Sequence, residues 1–187
     1  PEGLPHLIAQ RVMGHEIPVG KNFQELGMAI LSVEALVSLG RSLQDKKLAQ
    51  TKLVTFMDKN GNRSLVSATV GTPLRDIFKR FHVNLNDQDR IIIGGPLNGY
   101  STYTDAFPIR PDTDAVLLQD KDDVALASDY PCINCGDCVR VCPARVPVSM
   151  LIRFLEAGEY EEAAESYDLY SCLECGLCSY VCVSRIP

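Results

Sequence analysis

An α+β fold built from successive modules is what this sequence predicts, and three observations predict it. Two alternating, strand-like segments bracket an Asn60-Gly61 turn and lead into a helix and a buried strand. All eight cysteines fall into two near-identical runs that begin forty residues apart. Between those runs, apolar side chains recur twice at helical spacing.

Taken in order, residues 1–49 open with a short helix over 5–13 that Gly14 stops, followed by a loop through Pro18 and Gly20. Residues 26–31 read as a short buried strand, and Ser32 then N-caps a helix that Gly40 ends. Residues 50–100 change character. A strand over 52–57, turn chemistry over 58–63 and a partner strand over 64–70 make a hairpin. Gly71-Thr72-Pro73 opens the next helix, with Thr72 as N-cap and Pro73 at the first helical position, running through Leu74, Ile77, Phe78 and Phe81. A buried strand over 90–93 ends at Gly94-Gly95-Pro96. Hairpin, helix and strand together make a compact β-grasp-like module. Residues 101–130 read as a connection, with a strand over 113–118 and a solvated turn over 120–123. Residues 131–187 carry the cysteines. Val148, Leu151, Ile152 and Leu155 mark one amphipathic helix, stopped by Gly158, and Tyr160, Ala163, Ala164 and Tyr167 mark a second. Both stripes are expected to pack around whatever the cysteines hold.

Each run is C-x2-C-x2-C-x3-C: Cys132, Cys135, Cys138 and Cys142, then Cys172, Cys175, Cys178 and Cys182. Three thiolates two residues apart, on a loop relaxed by Gly136 or Gly176, can wrap one corner of an iron–sulfur cube. The x3 spacing then puts the fourth cysteine at the start of a helix, aimed at a second cube. This is the run of two-cluster ferredoxins, in which the fourth cysteine ligates the other cluster. Two 4Fe-4S clusters are therefore expected, on Cys132, Cys135, Cys138 with Cys182, and on Cys172, Cys175, Cys178 with Cys142. The runs alone leave open which cluster each fourth cysteine serves. Zinc also suits thiolates, but structural zinc usually takes ligands in separated pairs, and three cysteines crowd each loop here. Disulfides fit least, because metal-bound cysteines point to a reducing compartment. Pro143 follows the first run as the ferredoxin pattern expects, whereas Val183 follows the second and is expected to loosen that turn.

Composition narrows the rest. With 46% hydrophobic residues and no apolar stretch near the roughly 18 residues of a membrane span, the chain reads as soluble and globular. Net charge is −6 and no Lys/Arg block exceeds two residues, so nucleic acid is not an expected partner. The opening Pro1-Glu2-Gly3-Leu4-Pro5 has neither the basic nor the apolar region of a secretory leader, and both ends suggest a piece of something longer. Gly14 to Asn22 approximates a phosphate loop, but has five residues between glycines and Asn22 in place of Ser or Thr. His6, His15 and His82 stand apart from the cysteines in sequence. No catalytic acid, base or nucleophile is identified.

Several stretches together resemble the C subunits of Rnf-type ion-translocating electron transport complexes. They are residues 132–143, 172–182 and Ser184-Arg185-Ile186-Pro187, with Gly14-His15-Glu16-Ile17-Pro18 and residues 93–99 upstream. The resemblance implies that residues 1–49 are the tail of a flavin/NADH-binding domain. It implies a soluble-ligand-binding β-grasp (SLBB-like) module over 50–100, a connection over 101–130 and a mainly helical dicluster ferredoxin domain over 131–187. It implies an oxidoreductase subunit relaying single electrons between ferredoxin or NADH and membrane subunits. Its place would be peripheral, on the cytoplasmic face of the inner membrane. FMN and NADH would need upstream sequence, since the family's glycine-rich flavin loop is not among these residues. The alternatives are a cobalamin-reductase-type electron-transfer protein of a metabolic microcompartment and a zinc-stabilised interaction module.

Overall fold

The computed structural model describes residues 3–96, 99–128 and 130–187. Its helices are α1 (Pro5–Met13), α2 (Val33–Asp45), α3 (Leu74–Arg80), α4 (Asp137–Val141), α5 (Val148–Glu156), α6 (Tyr160–Glu165) and α7 (Leu177–Val181). Its strands are β1 (Thr51–Met57), β2 (Arg63–Thr69), β3 (Arg90–Ile93), β4 (Tyr100–Thr102) and β5 (Ala115–Gln119). The chain groups into two units, Leu31–Val124 and the pair of segments Pro1–Ile30 and Ala125–Pro187. This division differs from the four stretches read in the sequence. The reason is that β5, in the expected connection, joins the sheet, and α2 is tied to β1.

In the unit Leu31–Val124, Asp58 builds the hairpin turn by accepting from the N–H groups of Asn60 and Asn62, both at 2.9 Å. Gly61 takes φ 80° there, a conformation cheap only for glycine. The strands β1 and β2 pair antiparallel, with Thr55 opposite Leu65. Sheet order is β2-β1-β5-β3-β4, with β1 and β5 parallel and every other pair antiparallel. Period-2 alternation sends Val54, Phe56, Val66, Ala68, Ile91, Ile93, Val116 and Leu118 into one core with Leu74, Ile77 and Phe78 of α3. Hairpin, helix and third strand are thus where the sequence puts them.

Three expectations are corrected. Residues 26–31 form no strand; a 3-10 turn over Gln24–Leu26 ends at Gly27 in the left-handed region (φ 70°). Gly40 does not stop α2, which continues to Asp45 and ends on Lys46 at φ 53°. One interior glycine costs a helix only about 1 kcal/mol, less than the turns beyond it return. The α3 N-cap is Pro73, not Thr72. Residues 105–109 run beside this helix start and satisfy it with backbone: Leu74 N–H donates to Phe107 O and Arg75 N–H to Asp105 O. Ser32 caps α2 as read, its Oγ accepting from Ala35 N–H at 3.1 Å.

Two ion clusters close the ends of the parallel pair. Where β1 and β5 begin, the Lys52 ammonium, one-tenth exposed, donates to Glu34 Oε2 at 2.5 Å and Asp114 Oδ1 at 2.6 Å. Burial pulls Lys52 down, but its bonds to Asp114 and Glu34 outweigh that and hold it above the usual lysine value. Where both strands end, the fully buried Asp89 carboxylate accepts from Lys59 Nζ and from the N–H groups of Asn86 (2.5 Å) and Lys121 (3.3 Å). Burial pushes Asp89 up; the Lys59 and backbone bonds win and hold it below the ordinary aspartate value.

In the other unit, Pro5 sits in the first turn of α1 and Gly14 ends it at φ 73°, its N–H donating to Gln10 O. The helices α5 and α6 share a small core of Val146, Leu151 and Ala163, flanked by Phe154 and Tyr167, whose rings lie 4.6 Å apart. Tyr160, read as part of the second stripe, is exposed instead.

Two measurements check this account. A Cβ at Gly99 would lie 2.4 Å from Gly95 O and 2.6 Å from Ile93 O. Gly99→Ala is therefore expected to destabilise the Leu31–Val124 unit by about 1–3 kcal/mol in urea unfolding. Asp89 regains a value near 3.9 on unfolding, so the unfolded state binds more protons as pH falls below about 4. Its contribution is whole above that pH and is lost as pH drops through the lower folded value. Asp89→Asn should flatten that acid slope and cost about 1–3 kcal/mol at pH 7, read from urea midpoints at pH 7 and pH 3.

Candidate metal centre

The two cysteine runs fold as near copies of one backbone. Gly136 (φ 79°, ψ 2°) and Gly176 (φ 74°, ψ −3°) are left-handed N-caps for α4 and α7. Cys138 and Cys178 therefore lie in the first turn of these helices, while Cys142 and Cys182 terminate them. The fourth cysteine thus ends a helix rather than starting one, as its spacing had suggested. Arg140 N–H and Tyr180 N–H each donate to their N-cap glycine's carbonyl at 3.1 Å. Cys142 (φ −66°, ψ 116°) and Cys182 (φ −66°, ψ 114°) leave the helices alike. Val183 does not loosen its turn: extended backbone suits a residue before proline, and the second run reaches it without one. The helices α4 and α7 pack against each other.

The copies differ in how they cover sulfur. Cys175 is buried, Cys135 and Cys172 are exposed, and the other five are half-buried. Cys132 and Cys138 of the first run share a small cavity with Cys178 and Cys182 of the second, walled by Val148, Ile152 and Ile186. One edge of α5 therefore faces the sulfurs while Leu151 enters the helical core. Cys172 lies in a separate cleft beside Pro143, Ala144 and Arg145, the residues that follow Cys142. Each run's tail thus meets the other run's loop. Glu174 N–H donates to Cys172 Sγ and Ile186 N–H to Cys182 Sγ, both at 3.4 Å. Burial pushes the Cys138 thiol up, which favours its neutral form in the absence of an electropositive neighbour.

All-sulfur donors, apolar walls and N–H groups aimed at sulfur fit an iron–sulfur cluster. Among the described residues, no three Cys, His, Asp or Glu side chains converge on a single metal ion. His6 packs against the Phe23 ring at 4.9 Å. In the phosphate-loop lookalike, Lys21 pairs with Glu25 at 3.2 Å. No helix among the described residues is long and apolar enough to cross a membrane.

The repeat also runs further than its cysteines. Cys142-Pro143-Ala144-Arg145-Val146-Pro147 answers to Cys182-Val183-Ser184-Arg185-Ile186-Pro187. Arg145 (φ 57°) and Arg185 (φ 55°) share a left-handed backbone, as Asn134 (φ 58°) and Glu174 (φ 51°) do within the loops. Cysteine spacing alone does not mark these positions; aligning the runs five residues further exposes the two arginines.

Residues 126–183 match the family described as 4Fe-4S dicluster domain. The C subunit of the ion-translocating oxidoreductase complex of Edwardsiella ictaluri is 31% identical over 169 residues, covering 87% of this chain and 21% of that protein. The protein of the same name from Yersinia enterocolitica is 31% identical over 175 residues, covering 91% of this chain and 24% of its own length. The one from Methanosarcina acetivorans is 24% identical over 164 residues, covering 88% and 37%. The chain spans from a fifth to little more than a third of the length of these relatives. It carries a 4Fe-4S dicluster domain at residues 126–183, and over most of its length it is homologous to proteins named as C subunits of ion-translocating oxidoreductase complexes.

Proposed function

We propose that this chain is the electron-relaying portion of a C-type subunit of an ion-translocating oxidoreductase complex. Cys132, Cys135, Cys138 and Cys182 would hold one 4Fe-4S cluster, and Cys172, Cys175, Cys178 and Cys142 the other. The observation that carries this reading is the cavity in which Cys132 and Cys138 of the first run meet Cys178 and Cys182 of the second, and the division into two crossed sets follows the ferredoxin run. The neighbourhood of Cys172 and the residues after Cys142 supports the reciprocal set.

When bound, two 4Fe-4S clusters supply a pair of one-electron carriers. The chain's own residues bind and orient. Gly136 and Gly176 set the loops, Val148, Ile152 and Ile186 exclude water, and the Glu174 and Ile186 amides stabilise charge on sulfur. Electron transfer itself needs no general acid or base.

The wider setting is read from the relatives' name and the sequence resemblance. Membrane subunits of the complex would be the partners, with ferredoxin or NADH as redox partner, at the cytoplasmic face of the inner membrane. The five-stranded sheet with α3 would be a β-grasp module of the soluble-ligand-binding kind, and residues 1–49 the end of a flavin- and NADH-binding domain. FMN and NADH would sit mainly on residues outside this sequence.

Anaerobic reconstitution of the 187-residue chain should give about eight irons and eight acid-labile sulfides. Dithionite reduction should then give two cluster EPR signals. Cys132→Ala and Cys182→Ala should abolish the same signal, and Cys142→Ala and Cys172→Ala the other. Zinc in place of iron, or disulfides in the anaerobic protein, would overturn the reading. Loss of one signal by both Cys132→Ala and Cys142→Ala would overturn the crossed sets alone.

A further inference from the structure

Arg145 and Arg185 occupy a left-handed backbone conformation that is costly for an ordinary side chain and free for glycine. The same residue type nevertheless stands at this position in both halves of the repeat. Asparagine or glycine would meet the dihedral more cheaply, so φ alone does not account for arginine. Neither guanidinium makes a hydrogen bond or ion pair among the described residues. Both are therefore unpaired cations carried on the same backbone conformation.

Their placement relative to sulfur is reciprocal. Arg145 lines the cleft that holds Cys172, Leu173 and Glu174 of the second run. Arg185 lies at the entrance to the first run. Its carbonyl accepts from Ser128 N–H at 3.0 Å, and the neighbouring Ser184 Oγ donates to Pro131 O at 3.2 Å, one residue before Cys132. Each arginine follows the cysteine that crosses over, and so each accompanies it to the opposite loop.

We infer that Arg145 and Arg185 are a matched pair of potential-setting cations, Arg145 for the quartet containing Cys172 and Arg185 for the quartet containing Cys132. This rests on the cluster reading above. Each quartet gathers four thiolate charges, and one-electron reduction adds another negative charge without forming or breaking a bond. A cation nearby stabilises the reduced form more than the oxidised one and raises the potential. Both arginines are exposed, so solvent screens them and the effect is moderate and salt-dependent.

The test is an EPR-monitored redox titration of the reconstituted chain and its variants. Arg145→Gln should lower the reduced-to-oxidised ratio of one cluster about fivefold at fixed applied potential, roughly 40 mV for a one-electron couple at 59 mV per decade. Arg185→Gln should do the same to the other cluster only. Arg145→Lys should retain most of the native potential. Arg145→Gly relieves the backbone, so it should raise the unfolding midpoint yet lower the potential as Arg145→Gln does. The shifts should shrink at about 1 M salt, where the Debye length falls to about 3 Å. Midpoints unmoved by Arg145→Gln and Arg185→Gln, or an Arg145→Gly protein with native potential, would overturn the inference. Wild-type protein without iron or EPR signals would instead overturn the cluster reading itself.

Discussion

The arrangement of sulfur depends on one backbone constraint, a left-handed residue between the second and third cysteines of each run. At Gly136 the only heavy atom within reach of an added Cβ is Arg140 Nη1, at 4.0 Å. Space does not demand glycine there; the dihedral does. By reversing the chain and at once starting a helix, Gly136 and Gly176 put the third cysteine in a first turn and the fourth at its end. Two further left-handed positions per run, at Asn134 and Glu174 and at Arg145 and Arg185, repeat at the same offsets. The same device applied twice gives two short helices that pack together and exchange their tails.

The sheet unit solves a different problem. A parallel pair cannot be closed by a hairpin and gains less per residue than an antiparallel one, and β1 and β5 align over only three residue pairs. Lys52 with Glu34 and Asp114 stands where both strands begin, and Asp89 with Lys59 and the Lys121 amide where both end. Glu34 also takes the Leu53 N–H at 2.8 Å, which fastens the start of α2 to β1 through polar atoms. The backbone amide of Leu53 and then the Lys52 ammonium hold the Glu34 carboxyl below its usual value. Charge thus pins strand ends that hydrogen-bond pattern alone would leave weakly registered.

What the sequence disclosed follows from the range of each signal. The hairpin and α3 were legible because period-2 alternation and turn chemistry are local, and the cysteine runs because their spacing is the chemistry. Residues 26–31 misled because a short apolar run has no period that separates strand from coil, and no partner strand reaches it. At Tyr100–Thr102, β4 is too short to alternate. The five-residue α4 and α7 escape periodicity altogether, their positions being fixed by a glycine dihedral. Asp89 with Lys59, and Lys52 with Asp114, join residues 30 and 62 apart, and nothing in either neighbourhood announces the pairing. That the two runs come together, with Cys132 and Cys138 beside Cys178 and Cys182, follows from the ferredoxin spacing and not from any property of the residues between.

The two units differ in what could hold them together. The sheet unit buries a continuous core of large side chains, from Val54 to Leu118. Around the cysteines the described core is Val146, Leu151 and Ala163 with half-buried flanks, and the helices are five to nine residues long. Isolated helices below about 12 residues are marginal in water, and small domains with thin cores need disulfides, metal or partners. Among the described residues no two cysteines are joined in a disulfide. In the proposed loaded form, eight thiolate ligands on two clusters would cross-link residues 132–142 to 172–182, closing a long loop through α5 and α6. Because ligation free energy would then also be folding free energy, the sulfur sites and the helices that present them would be one cooperative object. The same bonds that carry the electron path would keep Ile152 over the sulfurs and Leu151 in its core.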